Sequence, residues 1–70
     1  MYQKKQTVKW KWGNGEGVGT VSKIFTSTVS KTIKGTTVKR NASDAEPAYL
    51  ITQSDGDEVL KSHTELSDNS

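Results

Sequence analysis

Four cations fall within ten residues, Lys31, Lys34, Lys39 and Arg40, on a stretch rich in serine and threonine. Clustered side chains of this kind attract phosphate, in binding that weakens steeply with salt. No aromatic residue is interleaved with them, so bases have nothing there to stack on. A second chemistry, the capture of a cation, needs several aromatic faces around one point. The chain offers Trp10, Trp12, Phe25 and Tyr49, with Tyr2 near its start. Trp12 and Tyr49 are the ligand-binding candidates. Trp12 adjoins a glycine-rich turn, where the rim of a small barrel opens, and the Tyr49 hydroxyl needs water or a partner even if its ring is buried. Trp10 is assigned to the core, because a chain this poor in aliphatic residues needs its indole for packing. Catalytic chemistry finds little to work with. The single histidine, His63, has no partner in sight that would make it a base. Asp55 and Asp57 flank Gly56, which is turn chemistry, and the segment 55–58 lacks the ligand spacing of a calcium loop. Gly13-x-Gly15-x-Gly17 lacks the lysine and the following helix of a phosphate loop. No catalytic residue, metal or cofactor is assigned, and the expectation is a protein that is not an enzyme.

A 70-residue chain supports one small domain, and 30% hydrophobic residues give it a thin core. The absence of cysteine removes disulfides and thiolate-held zinc as supports. Charge is unevenly placed. Residues 1–41 carry nine Lys/Arg and one acidic residue, whereas residues 42–70 carry one Lys and seven Asp/Glu. Such a split suits a nucleic-acid-binding half, but it suits equally a fold whose halves pair their strands and alternate charge on one surface. The latter is favoured, since the cations mostly alternate with apolar positions. The longest apolar run, Ala48-Tyr49-Leu50-Ile51, is too short to span a membrane, and no signal-peptide core follows the first residues. A cytoplasmic monomer is expected.

The elements that must position these groups read as strands. Val8-Lys9-Trp10-Lys11-Trp12 alternates with period two, placing Val8 and both indoles on one face. The glycines at 13, 15 and 17 are read as supplying the positive φ angles of the following turn. A second strand runs over 17–26, with a bulge or bend expected at Gly19. Segments 29–33 and 37–40 form a hairpin through Lys34-Gly35, with so few apolar anchors that it should project from the body and be partly mobile. Ser43-Asp44-Ala45-Glu46 has the form of a capping box, but Pro47 limits it to a single turn. Asp55-Gly56 marks a last hairpin between 49–53 and 58–61. A two-residue turn, the favoured register, sets Ile51 opposite Leu60, whereas a three-residue loop with a glycine bulge sets Leu50 there. Ser62 to Leu66 make one turn docked by Leu66.

Taken in order, Val8-x-Trp10-x-Trp12-Gly13, Glu16-Gly17-x-Gly19-Thr20-Val21, Thr32-Ile33-Lys34-Gly35-Thr36, Arg40-Asn41-Ala42-Ser43, Pro47-Ala48-Tyr49-Leu50-Ile51 and Asp55-Gly56-x-x-Val59-Leu60-Lys61-Ser62-His63 resemble the family of hypervirulence-associated TUDOR-like domains. The resemblance covers residues 6–66 and implies an SH3-like barrel of the Tudor type. It carries over no ligand, and shared folds do not transfer activity. The residues and the resemblance together predict an all-β domain, a small SH3-like barrel of five to six short antiparallel strands over 6–66. A loose N-terminus over 1–5 and a frayed tail over 67–70 flank it. The expected function is a non-enzymatic interaction module for a protein or peptide. The alternative is weak, sequence-independent nucleic-acid binding through Lys31, Lys34, Lys39 and Arg40.

Overall fold

The computed structural model describes residues 1–68. It contains strands β1 (Thr7–Trp12), β2 (Gly15–Phe25), β3 (Val29–Ile33), β4 (Thr36–Arg40), β5 (Ala48–Thr52), β6 (Glu58–Ser62) and β7 (Ser67–Asp68), with a 3-10 turn at His63–Glu65. The fold is all-β, as its valine, threonine and isoleucine content and two-residue periodicity dictate. One antiparallel sheet has the order β6-β5-β2-β1-β7, and β3 and β4 form a separate hairpin. A long second strand shared by its neighbours, a 3-10 turn before the last strand and β7 set against β1 are the arrangement of a small SH3-like fold. No ladder joins β6 to β7 to close a barrel among the described residues.

The β1–β2 pairing explains the glycines differently from the sequence expectation. The turn is only Gly13-Asn14, and of its neighbouring glycines only Gly13 has a positive φ, at 48°. Gly15 and Gly17 already belong to β2, directly opposite Trp12 and Trp10. Their missing side chains make room for the indoles. A Cβ on Gly17 would clash with Cε2, Cζ2 and Nε1 of the Trp10 indole, and one on Gly15 would lie 3.2 Å from Trp12 Cζ2. Gly19 serves the same purpose for Ile51, whose Cγ2 would meet a Cβ at 2.5 Å. The bulge expected at Gly19 lies instead between Val21 and Lys23, where the pairing with β5 shifts register.

The final hairpin takes the three-residue loop, overturning the favoured register. Gln53 N–H bonds the Asp57 carbonyl (2.7 Å), Gly56 N–H bonds the Gln53 carbonyl (2.9 Å), and Gly56 sits at φ 90°. Leu50 therefore faces Leu60, and Ile51 faces Val59. The longer loop with its glycine bulge is stabilised by the Asp55 carboxylate, which accepts the Asp57 N–H (2.9 Å). β5 is buried on both faces. Tyr49 and Ile51 join Val8, Trp10, Val21 and Leu66 in the main core, while Leu50 and Leu60 point to the opposite side.

That opposite side is where the β3–β4 hairpin rests. The hairpin was expected to project freely, but Val29, Lys31, Ile33, Val38 and Arg40 are half-buried and the hairpin lies against β6. Its turn has Lys34 at φ 51° and Gly35 at φ 78°, the double positive φ of a type I′ turn. Residues 43–46 make the single turn expected of them, with Glu46 N–H on Ser43 Oγ (3.2 Å) and Ser43 N–H on the Glu46 carbonyl (3.1 Å).

Residues 1–5 and 67–68 are more engaged than the sequence suggests. Lys5 N–H bonds the Val21 carbonyl (2.8 Å), and Tyr2 packs against the main core. Ser67 and Asp68, expected to fray, pair with Lys9 and Val8. The remainder of the expected tail, 69–70, lies outside the described residues. Leu66 docks into the core at 7% exposure, as its position after the turn implies.

Candidate functional site

Trp12 ends β1 at the hairpin tip and is 62% exposed, whereas Trp10, two residues earlier on the same face, is 5% exposed. The difference comes from what lies beyond each ring. Trp10 is covered by the core, while the sheet ends at Trp12. The indole of Trp12 lies across Gly15, so one face packs on backbone and the rest meets solvent. An exposed indole seated in this way costs little further ordering when a partner covers it, which is the property of an anchor residue. Lys11 follows the outward face next to it, opposite Glu16 across the strand pair.

Tyr49, the other ligand-binding candidate, sits in the core with no exposed surface. Its hydroxyl accepts the Tyr2 N–H (3.1 Å) and shares a hydrogen bond with His63 Nδ1 (3.1 Å). Burial pushes its phenol pKa up, against the lowering effect of the Tyr2 N–H. Tyr2 stacks edge-on against Tyr49 at 5.5 Å and lies 5.0 Å from the His63 ring, and its own hydroxyl donates to the Leu66 carbonyl (3.2 Å). Tyr2, Tyr49 and His63 thus tie the N-terminal segment to β5 and the 3-10 turn. Tyr49 presents no face to a ligand, and it is remote in role from Trp12.

The four hairpin cations part company in the fold. Lys34 Nζ reaches Asp57 Oδ2 at 2.6 Å, and this hydrogen bond raises its pKa. Arg40 Nε donates to Glu65 Oε1 at 2.8 Å. Lys31 Nζ lies 5.8 Å from the Phe25 ring centre. Lys39 points to solvent on the outer face of the hairpin. Opposite charges from the basic and acidic halves therefore meet at the hairpin.

Glu65 is the electrostatic centre of that meeting. Partial burial disfavours its charge, but the Ser62 N–H (2.9 Å), the Arg40 guanidinium and the Ser62 hydroxyl (2.9 Å) outweigh it, and its pKa falls to about 2. Lys61 Nζ approaches its other oxygen at 3.6 Å. Sequence reasoning passed over Glu65, although the Ser62-x-x-Glu65 spacing of a capping box was there to be read. Among the described residues, no group of three or more His, Cys, Asp or Glu is placed to hold a metal, and no helix is long and apolar enough to cross a membrane.

Two features of this surface have shape as well as charge. One is the Trp12 tip. The other is a groove of about 380 Å³ between the β3–β4 hairpin and β6. Residues 6–66 match the family described as Hypervirulence associated proteins TUDOR domain. No curated protein and no solved structure matches the chain.

Proposed function

The chain belongs to the hypervirulence-associated TUDOR domain family, and from that premise we propose that it is a non-enzymatic interaction module that docks a protein or peptide partner through Trp12. The carrying observation is the indole itself, 62% exposed yet seated on Gly15. Tryptophan is among the residues that most often dominate binding energy at interfaces. The scattered acids and the core-bound Tyr49–His63 pair supply no positioned acid–base machinery, which supports a binding role over a catalytic one.

Panning a random-peptide library on the immobilised domain tests this reading. The enriched peptides should include a set that loses binding to Trp12→Ala and keeps most of it with Trp12→Phe, which preserves an aromatic face. Failure to enrich any peptide, or equal binding of every enriched peptide by Trp12→Ala, would overturn it.

The alternative reading, phosphate-driven nucleic-acid binding by Lys31, Lys34, Lys39 and Arg40, draws less support. Two of those four charges are already engaged by carboxylates. Oligonucleotide titration at low salt, about 20 mM, where such binding is strongest, should leave the amides of residues 29–41 unmoved. Shifts there that vanish at high salt would restore the alternative.

A further inference from the structure

Among the described residues, β6 is hydrogen-bonded to β5 alone and forms an edge of the main sheet. Along an antiparallel pair, backbone groups turn alternately toward the partner and away from it. Gln53 N–H on the Asp57 carbonyl and His63 N–H on the Pro47 carbonyl mark bonded pairs at the two ends of the β5–β6 hairpin. Counting inward, Ile51–Val59 and Tyr49–Lys61 are bonded pairs, so Glu58, Leu60 and Ser62 turn their N–H and C=O groups outward. Ser62 N–H is taken by Glu65 Oε1. Glu58 and Leu60 belong to no second ladder among the described residues.

The β3–β4 hairpin stands over this edge, tied at one end by Lys34–Asp57 and at the other by Arg40–Glu65. Between the ties lies the groove, with Ile33, Val38, Val59 and Leu60 as its apolar lining. Its two ends differ in charge. Asp57 and Glu58 against Lys34 leave one net negative charge, and Arg40 and Lys61 against Glu65 leave one net positive charge. The outward residues of β6 run from the negative end to the positive end.

We propose that this groove binds an extended segment of a partner protein, which adds to β6 as an antiparallel strand. Such a segment carries an acidic residue first, near Arg40, an apolar residue at its centre, beside Ile33 and Val38, and a basic residue last, near Glu58. Alternate residues of a strand share a face, so these three positions point together into the space under the hairpin. Main-chain hydrogen bonds to Glu58 and Leu60 give the affinity, and the apolar centre and opposed charges give the direction. A groove whose cations are largely neutralised selects such a peptide over a polyanion. The proposal rests on the interaction-module reading but uses a surface separate from Trp12.

An NMR titration of the full chain with capped pentapeptides tests it. The probes are ETVTK, the reversed KTVTE, and two forms of ETVTK methylated on one backbone nitrogen. ETVTK at millimolar concentration should shift the amides of Glu58 and Leu60 and of residues 33–38, and slow hydrogen exchange at Leu60. Methylation of the central valine nitrogen, which faces Leu60, should abolish binding, whereas methylation of a threonine nitrogen should not. KTVTE should bind several-fold more weakly, and Trp12→Ala should bind ETVTK as the wild type does. Absence of these shifts, or equal binding by the valine-methylated form, overturns strand addition. Equal binding of KTVTE overturns the assigned direction. Loss of ETVTK binding in Trp12→Ala overturns the groove while leaving the Trp12 reading intact.

Discussion

Gly17→Ala adds one methyl group where the structure has no room for it. The new Cβ would clash with the indole of Trp10, which is 5% exposed and held by the main core. Overpacking of a tight core costs about 1–3 kcal/mol, and the upper part of that range applies because a rigid ring meets a strand backbone. Alanine recovers part of this, roughly 0.4–1 kcal/mol, by restricting the unfolded chain, since Gly17 does not have a positive φ. The net loss is about 2 kcal/mol, against a total stability of roughly 4–10 kcal/mol for a domain of this length. The melting midpoint should fall by about 8–16 °C. Gly15→Ala is the internal control. It occupies the same face two residues away, but its Cβ would meet the exposed ring of Trp12, which can give way by a few tenths of an ångström. There the entropic gain prevails, and the midpoint should rise by a few degrees. Thermal unfolding followed by far-UV circular dichroism and tryptophan fluorescence measures both. If the two variants shifted alike, or Gly17→Ala melted with the wild type, the account of glycines as seats for the indoles would be wrong.

Trp10→Ala should cost about 3–5 kcal/mol, a large share of the whole stability, whereas Trp12→Ala should change stability by no more than about 0.5 kcal/mol; the shift of the urea midpoint separates them. Glu65 has a folded pKa of about 2, below its usual 4.5, so its stabilising contribution is complete above pH 4.5 and is lost as pH falls from there toward 2. Glu65→Gln should flatten that part of the melting-temperature profile and leave the profile near neutrality parallel to the wild type. Lys34→Asn should raise the melting midpoint despite removing the exposed pair with Asp57, because Asn-Gly suits the type I′ turn that lysine occupies at φ 51°. A fall in the midpoint would show that the ion pair outweighs the backbone preference.

Local patterns in the chain determined six of the seven described strands, the placement of the three hairpins and the burial of Trp10, whereas β7 forms only because β1 offers it an edge. Period-two alternation, Lys34-Gly35 and Asp55-Gly56 are local codes, each decided by a few neighbouring dihedral angles. The all-β class followed from them, and so did the turn that docks Leu66. The resemblance over 6–66 extended this to an SH3-like arrangement, consistent with the strand order found.

What the tertiary structure alone decided depended on partners far apart in the chain. Gly15 and Gly17 looked like turn glycines because their neighbours were glycines; only the facing β1 strand shows that indoles occupy their side-chain positions. The register of the last hairpin was not legible because Asp55-Gly56 fits both a two-residue turn and a three-residue loop, and the loop that forms has Gly56 at φ 90° and the Asp57 N–H on the Asp55 carboxylate. Tyr49 lost its candidacy to the docking of Tyr2, 47 residues away, and Lys34 and Arg40 were engaged by acids 23 and 25 residues downstream. A sequence shows which charges and rings a chain possesses. Which of them remain open to a partner is set by long-range pairing, because an exposed indole and a buried one differ only in what the rest of the fold places above them.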